Sequence, residues 1–135
     1  MMNIEDIYIG QSQSASRTFS QGDVLRFAQL SGDTNPLHCD EEYAASSRFG
    51  RIIVPGMLTA SLFSGIIGTQ LPGIGSIYLS QNLRFLHPVY PDIEVKATVE
   101  VVAVDKAKSR VSLSTTLRDT EGTLLIDGTA LILLK

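Results

Sequence analysis

The chain has 135 residues, of which 25 are charged (11 Lys and Arg, 14 Asp and Glu), and at 19% it is charge-poor beside the roughly 25% of an average soluble protein. A formal charge of −3 and a pI near 5.2 leave no clustered cations for nucleic acid, and the single Cys39 excludes an intrachain disulfide. Length favours one domain spanning residues 1–135, the lone thiol favours a reducing cytoplasm, and the opening MMNIEDIYIG lacks the apolar core and cleavage site of a secretory signal.

Taken in chain order, Ile7 to Phe19 is a candidate strand. Ser20 followed by Asp23 has the spacing of a helix N-cap with an acid three residues on, and Val24, Phe27, Ala28 and Ser31 then share one helical face. That helix should stop at Gly32. Gly32 to His38 reads as a loop, after which Asp40 can cap a short helix through Glu41, Glu42, Tyr43 and Ala44.

From Ile52 through Leu83 there is no charge at all, where an even spread would place about six. A membrane span needs about 20 consecutive apolar residues. This run is interrupted by Thr59, Ser61 and Ser64, then broken by Pro72, Gly73 and Gly75, so a buried segment of a globular fold fits better. Gly56 to about Gly68 is apolar or small on every side, which predicts a helix buried on every side. The simplest enclosure is one antiparallel sheet curled around it, an α+β fold with a central helix.

The sheet is legible as Ser76 to Leu86, Ile93 to Val101, the alternation Val111, Leu113, Thr115, Leu117, and a last strand from Thr123 to Leu134 after the turn Asp119-Thr120-Glu121-Gly122. Short turns predict an antiparallel meander, with the first strand as a fifth member. Lys106, Lys108 and Arg110 read as a solvated hairpin tip.

Few residues can carry chemistry. His38, Cys39 and Asp40 are consecutive, but adjacent side chains diverge and no further His/Cys set completes a tetrahedral metal shell, so no metal site is assigned. Cys39 reads as a small, partly buried thiol. Asp33 and His38 lie in one segment whose Gly, Asn and Pro impose a fixed path, so a carboxylate and an imidazole can converge on one water. The same Gly-Asp-x-Asn-Pro string is also good turn chemistry, with Asp33 and Asn35 bonding nearby amides. His87, before Pro88 at a strand end, reads as structural or exposed. Gly56 opens the buried helix, where unsatisfied N–H groups favour negative charge, or is there only for close packing.

The string Phe27-Ala28-Gln29-Leu30-Ser31-Gly32-Asp33-Thr34-Asn35-Pro36-Leu37-His38-Cys39-Asp40 resembles the hydratase motif of the MaoC-like dehydratase family, in particular its short (R)-specific enoyl-CoA hydratases. The resemblance continues through Phe49 to Leu58 and the strand Asn82-Leu83-Arg84-Phe85-Leu86. It implies a hot-dog fold, a homodimer, and reversible addition of water across the double bond of a trans-2-enoyl-CoA to give (R)-3-hydroxyacyl-CoA. It places catalysis on Asp33 and His38, thioester binding on the Gly56 amide, and supporting roles on Asn35 and Ser64. The partner it implies is an acyl-CoA substrate; the chemistry needs no metal or redox cofactor, and neither nucleic acid nor membrane. Such a reaction can draw fatty-acid oxidation intermediates toward polyhydroxyalkanoate. Arg48, Arg51 and Arg84 are candidate partners for CoA phosphates, or simply solvated. Two positions depart from the usual pattern: Pro55 where many relatives have His, and Pro91-Asp92 where they have Gly-Asp. Both bear on pocket shape and neither on the pair. The readings left beside it are dehydration on acyl carrier protein, a hot-dog thioesterase, and a non-catalytic acyl-binding module.

Overall fold

Alternating apolar positions become the inner face of one antiparallel sheet in the computed structural model, which describes residues 2–135. The strands are β1 (Ser12–Thr18), β2 (Ser76–Phe85), β3 (Glu94–Asp105), β4 (Arg110–Asp119) and β5 (Leu124–Leu134). Val95, Ala97, Val99 and Val101 of β3 are buried, as are Val111, Leu113, Thr115 and Leu117 of β4, while their neighbours are wetter. Register shifts at Tyr78/Ser80, Val101/Ala103 and Leu117/Arg118 add local twist, which lets the sheet curl.

The strand order is β1-β3-β4-β5-β2, so only β3, β4 and β5 form the expected meander. β2 pairs with β5 instead of with β3, which follows it in sequence. Residues 86–93 are the reason: they carry the chain from the β2 edge past β5 and β4 to β3, pinned midway by a bridge between Val54 and Val89.

Four helices complete the fold: α1 (Gln21–Ser31), α2 (Pro36–Cys39), α3 (Glu41–Ala45) and α4 (Gly56–Thr69). The Ser20/Asp23 capping box forms, with the Asp23 amide donating to Ser20 Oγ at 3.1 Å and the Ser20 amide donating to Asp23 Oδ2 at 2.9 Å. These bonds from the Ser20 backbone and side chain, with Arg26 adding its charge, hold the Asp23 carboxyl below the ordinary carboxylate value. Gly32 ends α1 in the left-handed conformation at φ 79°, which glycine adopts without a Cβ penalty. Asp40 caps α3 as its position suggested.

α4 crosses the concave face of the sheet and buries Thr59, Ala60, Phe63, Ile66 and Ile67. Burial on every side does not hold within one chain. Met57, Ser61, Ser64, Gly65 and Gly68 form an exposed line along the helix, because the sheet reaches around only part of it. β2 is likewise exposed on both faces. No helix among the described residues is long and apolar enough to cross a membrane.

Candidate active site

The segment between α1 and α3, expected to be plain loop, contains the helical turn α2. Asn35 starts it, its Oδ1 accepting from the Leu37 amide at 3.0 Å, with Pro36 at the first helical position. The turn then closes as the His38 amide donates to the Asn35 carbonyl at 2.9 Å. Asp33 Oδ1 accepts from the Asn35 amide at 3.3 Å, so the turn chemistry read from the sequence is present and leaves Oδ2 free.

His38 is the buried member of the pair, its side chain 11% exposed against 37% for that of Asp33. His38 Nδ1 lies 2.7 Å from the Ile53 carbonyl oxygen. A carbonyl only accepts, so Nδ1 carries the proton and, in the neutral ring, Nε2 is left with its lone pair. That Nε2 faces Asp33 Oδ2 at 3.9 Å. The separation is too long for a direct bond, but two hydrogen bonds of about 2.8 Å from these atoms to one oxygen would meet at about 90°. Both atoms are acceptors and water has two protons, so one water satisfies both.

Asp33 and His38 open into a cavity of about 360 Å³, shared with Gly56, Met57 and Thr59 at the start of α4 and with Phe85 and Ile126 from the sheet. The amides of Gly56 and Met57 find no acceptor among the described residues, and Pro55 before them offers no side-chain cap. Two donors and the positive end of a 14-residue helix therefore border the same space as the two acceptors.

Asn35 is outside the cavity wall and shapes the turn behind Asp33. Ser64 is not brought to the pair, since it sits on the exposed line of α4. Of the three arginines, Arg48 lines the cavity; Arg51 stacks on the Tyr90 ring at 4.1 Å and lines a separate one, and Arg84 lines neither. His87 is exposed and also reaches the cavity wall. Cys39 is a partly buried free thiol, and no group of three or more potential metal ligands occurs among the described residues. Phe85 and the Met57 amide escaped the sequence reading. The alternation of Leu83 and Phe85 on β2 was the available signal for the first, and the second follows from any uncapped helix start.

One helix held in the curl of an antiparallel sheet, with a carboxylate and an imidazole on the segment preceding that helix, defines a hot-dog domain of the hydratase type. Residues 7–123 match the model of the MaoC like domain, and the chain belongs to the MaoC-like family. It is 46% identical over 131 residues to the (R)-specific enoyl-CoA hydratase of Aeromonas caviae, covering 97% of this chain and 98% of that protein. The solved structure of the (R)-hydratase from A. caviae involved in PHA biosynthesis superposes with a TM-score of 0.94 at 46% identity, covering 97% of this chain and 99% of the other. The chain is also 43% identical over 128 residues to a mitochondrial 3-hydroxyacyl-[acyl-carrier-protein] dehydratase of Solanum lycopersicum, covering 93% of this chain and 76% of that one.

Proposed function

We propose that the protein is an (R)-specific enoyl-CoA hydratase, a hydro-lyase that adds water reversibly across a trans-2-enoyl thioester. The observation that carries this reading is the convergence of His38 Nε2 and Asp33 Oδ2, 3.9 Å apart, on the cavity that the free amides of α4 also border. Water held by two acceptors gives one proton to the pair as its oxygen bonds to C3. The C2–C3 π electrons move toward the thioester, and the oxygen that gains charge meets the Gly56 amide. A fixed donor of this kind is worth about 3 kcal/mol in the transition state. The proton returns from the pair to C2 on the same face, which gives syn addition. The residues need no metal or redox group for these steps, and CoA enters with the substrate.

Loss of the conjugated-enoyl absorbance on adding crotonyl-CoA, with (R)-3-hydroxybutyryl-CoA as the product, tests the reading. Unchanged absorbance would overturn it. The likeness to an acyl-carrier-protein dehydratase supports a second carrier, so the same assay with crotonyl thioesters of CoA and of carrier protein assigns the preference. A lone free thiol suits the cytoplasm as the working compartment.

Arg48 is the one Lys or Arg on the cavity wall, and no carboxylate lies within ion-pair distance of it among the described residues. It is positioned to meet a phosphate of the CoA arm. Arg48→Gln should raise KM for crotonyl-CoA about 5-fold at unchanged kcat, the loss of ~1 kcal/mol that a solvent-screened charge contact supplies. KM for crotonyl-pantetheine, which has no phosphate, should not move.

The working unit is a homodimer formed along β2. The other sheet edge, β1, is short and polar, whereas β2 is a 10-residue edge strand with no acid, one cation, and exposed Ile77, Tyr78 and Leu79. An unblunted apolar edge invites pairing. Sedimentation should show twice the 14.6 kDa chain mass for the wild type, and the chain mass alone for Ile77→Lys combined with Leu79→Lys. A monomeric wild type would refute the dimer.

A further inference from the structure

We propose that Phe85 is a positioning residue for the thioester, holding the substrate carbonyl on the Asp33/His38 side of the α4 amide donors; this rests on the hydratase reading above. Phe85 ends β2 on the inner face, opposite Ile126 of β5. Its ring stands in the cavity, 50% exposed. A methyl group built on Gly56 would lie 2.6 Å from ring Cε1 and 2.7 Å from Cδ1. Such distances are far inside carbon–carbon contact, which is optimal at about 3.5–4.0 Å. The ring therefore occupies the space directly over the first residue of α4.

Gly56 is not among the positive-φ glycines, so no left-handed backbone requires glycine here. Room for the Phe85 ring does. Two consequences follow for the reaction. First, the ring covers Gly56 from one side, and in the lower dielectric beside it the Gly56 amide acts more strongly on the enolate-like oxygen. Second, it blocks approach from the β2 side, which leaves the side where Asp33 and His38 open. A ring left half exposed in the free protein also offers apolar surface that a bound enoyl thioester covers.

Steady-state kinetics with crotonyl-CoA on Phe85→Leu, Phe85→Ala, Gly56→Ala and a double variant test the assignment. Phe85→Leu should lower kcat about 10-fold with KM within about 3-fold, and Phe85→Tyr, which keeps the ring, should retain kcat. Gly56→Ala should lose about 100-fold in kcat/KM, because the new methyl and the ring cannot both keep their places. In the double variant Gly56→Ala is paired with Phe85→Ala, which removes both ring carbons that meet the new methyl, where leucine would keep a carbon at the Cδ1 position; its kcat/KM should return to within about 3-fold of Phe85→Ala alone. Losses that multiply in the double variant, or wild-type kcat in Phe85→Leu, would overturn the positioning role while the hydratase reading stands. A wild type inactive on crotonyl-CoA overturns both.

Discussion

Asp33→Asn and His38→Gln should each lower kcat for crotonyl-CoA hydration by about 10³-fold, within the 10²–10⁴ range that a positioned acid–base group supplies. Asparagine keeps an oxygen for the Asn35 amide that Asp33 now holds at 3.3 Å, so the turn survives, but it cannot take a proton from water. Glutamine at position 38 can still donate to the Ile53 carbonyl, which is 2.7 Å from Nδ1 in the native ring, and it too carries no basic lone pair. Both variants should therefore fold, with unfolding midpoints a few degrees from wild type by circular dichroism. Because the α4 amides proposed to hold the thioester are untouched, KM should change less than kcat. Near-normal turnover by either folded variant would remove that residue from the chemistry.

Phe63→Ala should destabilise the fold by about 3–5 kcal/mol, the cost of emptying a large aromatic site in a packed core. Phe63 is 1% exposed and lies on the side of α4 that packs into the main core. Ser64, its neighbour in sequence, is on the exposed line, and Ser64→Ala should shift stability by no more than about 0.5 kcal/mol. Guanidinium unfolding of the two variants measures the contrast. Equal losses would mean that the helix is packed the other way round.

The contrast between these neighbours also marks where sequence reasoning stopped. Hydropathy placed both inside, since nothing from Ile52 to Leu83 is charged, and uniform composition carries no record of which side a sheet covers. What depends on residues three to five apart was readable: the Ser20/Asp23 box, the stop at Gly32, the Asp40 cap, the convergence of Asp33 with His38. What depends on distant segments was not. The bond from His38 to Ile53 spans 15 residues, and Phe85, at the end of β2, meets Gly56, at the start of α4, with a whole helix, loop and strand between them in sequence. The passage of β2 past β5 was missed for the same reason. Period-two alternation tells which face of a strand is wet and says nothing about its neighbour.

The carbonyl that orients the His38 ring belongs to Ile53, and the amide proposed to meet the thioester oxygen belongs to Gly56, three residues on in the same stretch of chain. Between them the Val54 amide donates to the Val89 carbonyl at 2.7 Å. One short stretch of chain therefore anchors both the His38 ring and the free amides at the start of α4. For the proposed hydration, the spacing of the two groups is thus fixed by a few residues of one backbone segment and not by the curl of the whole sheet.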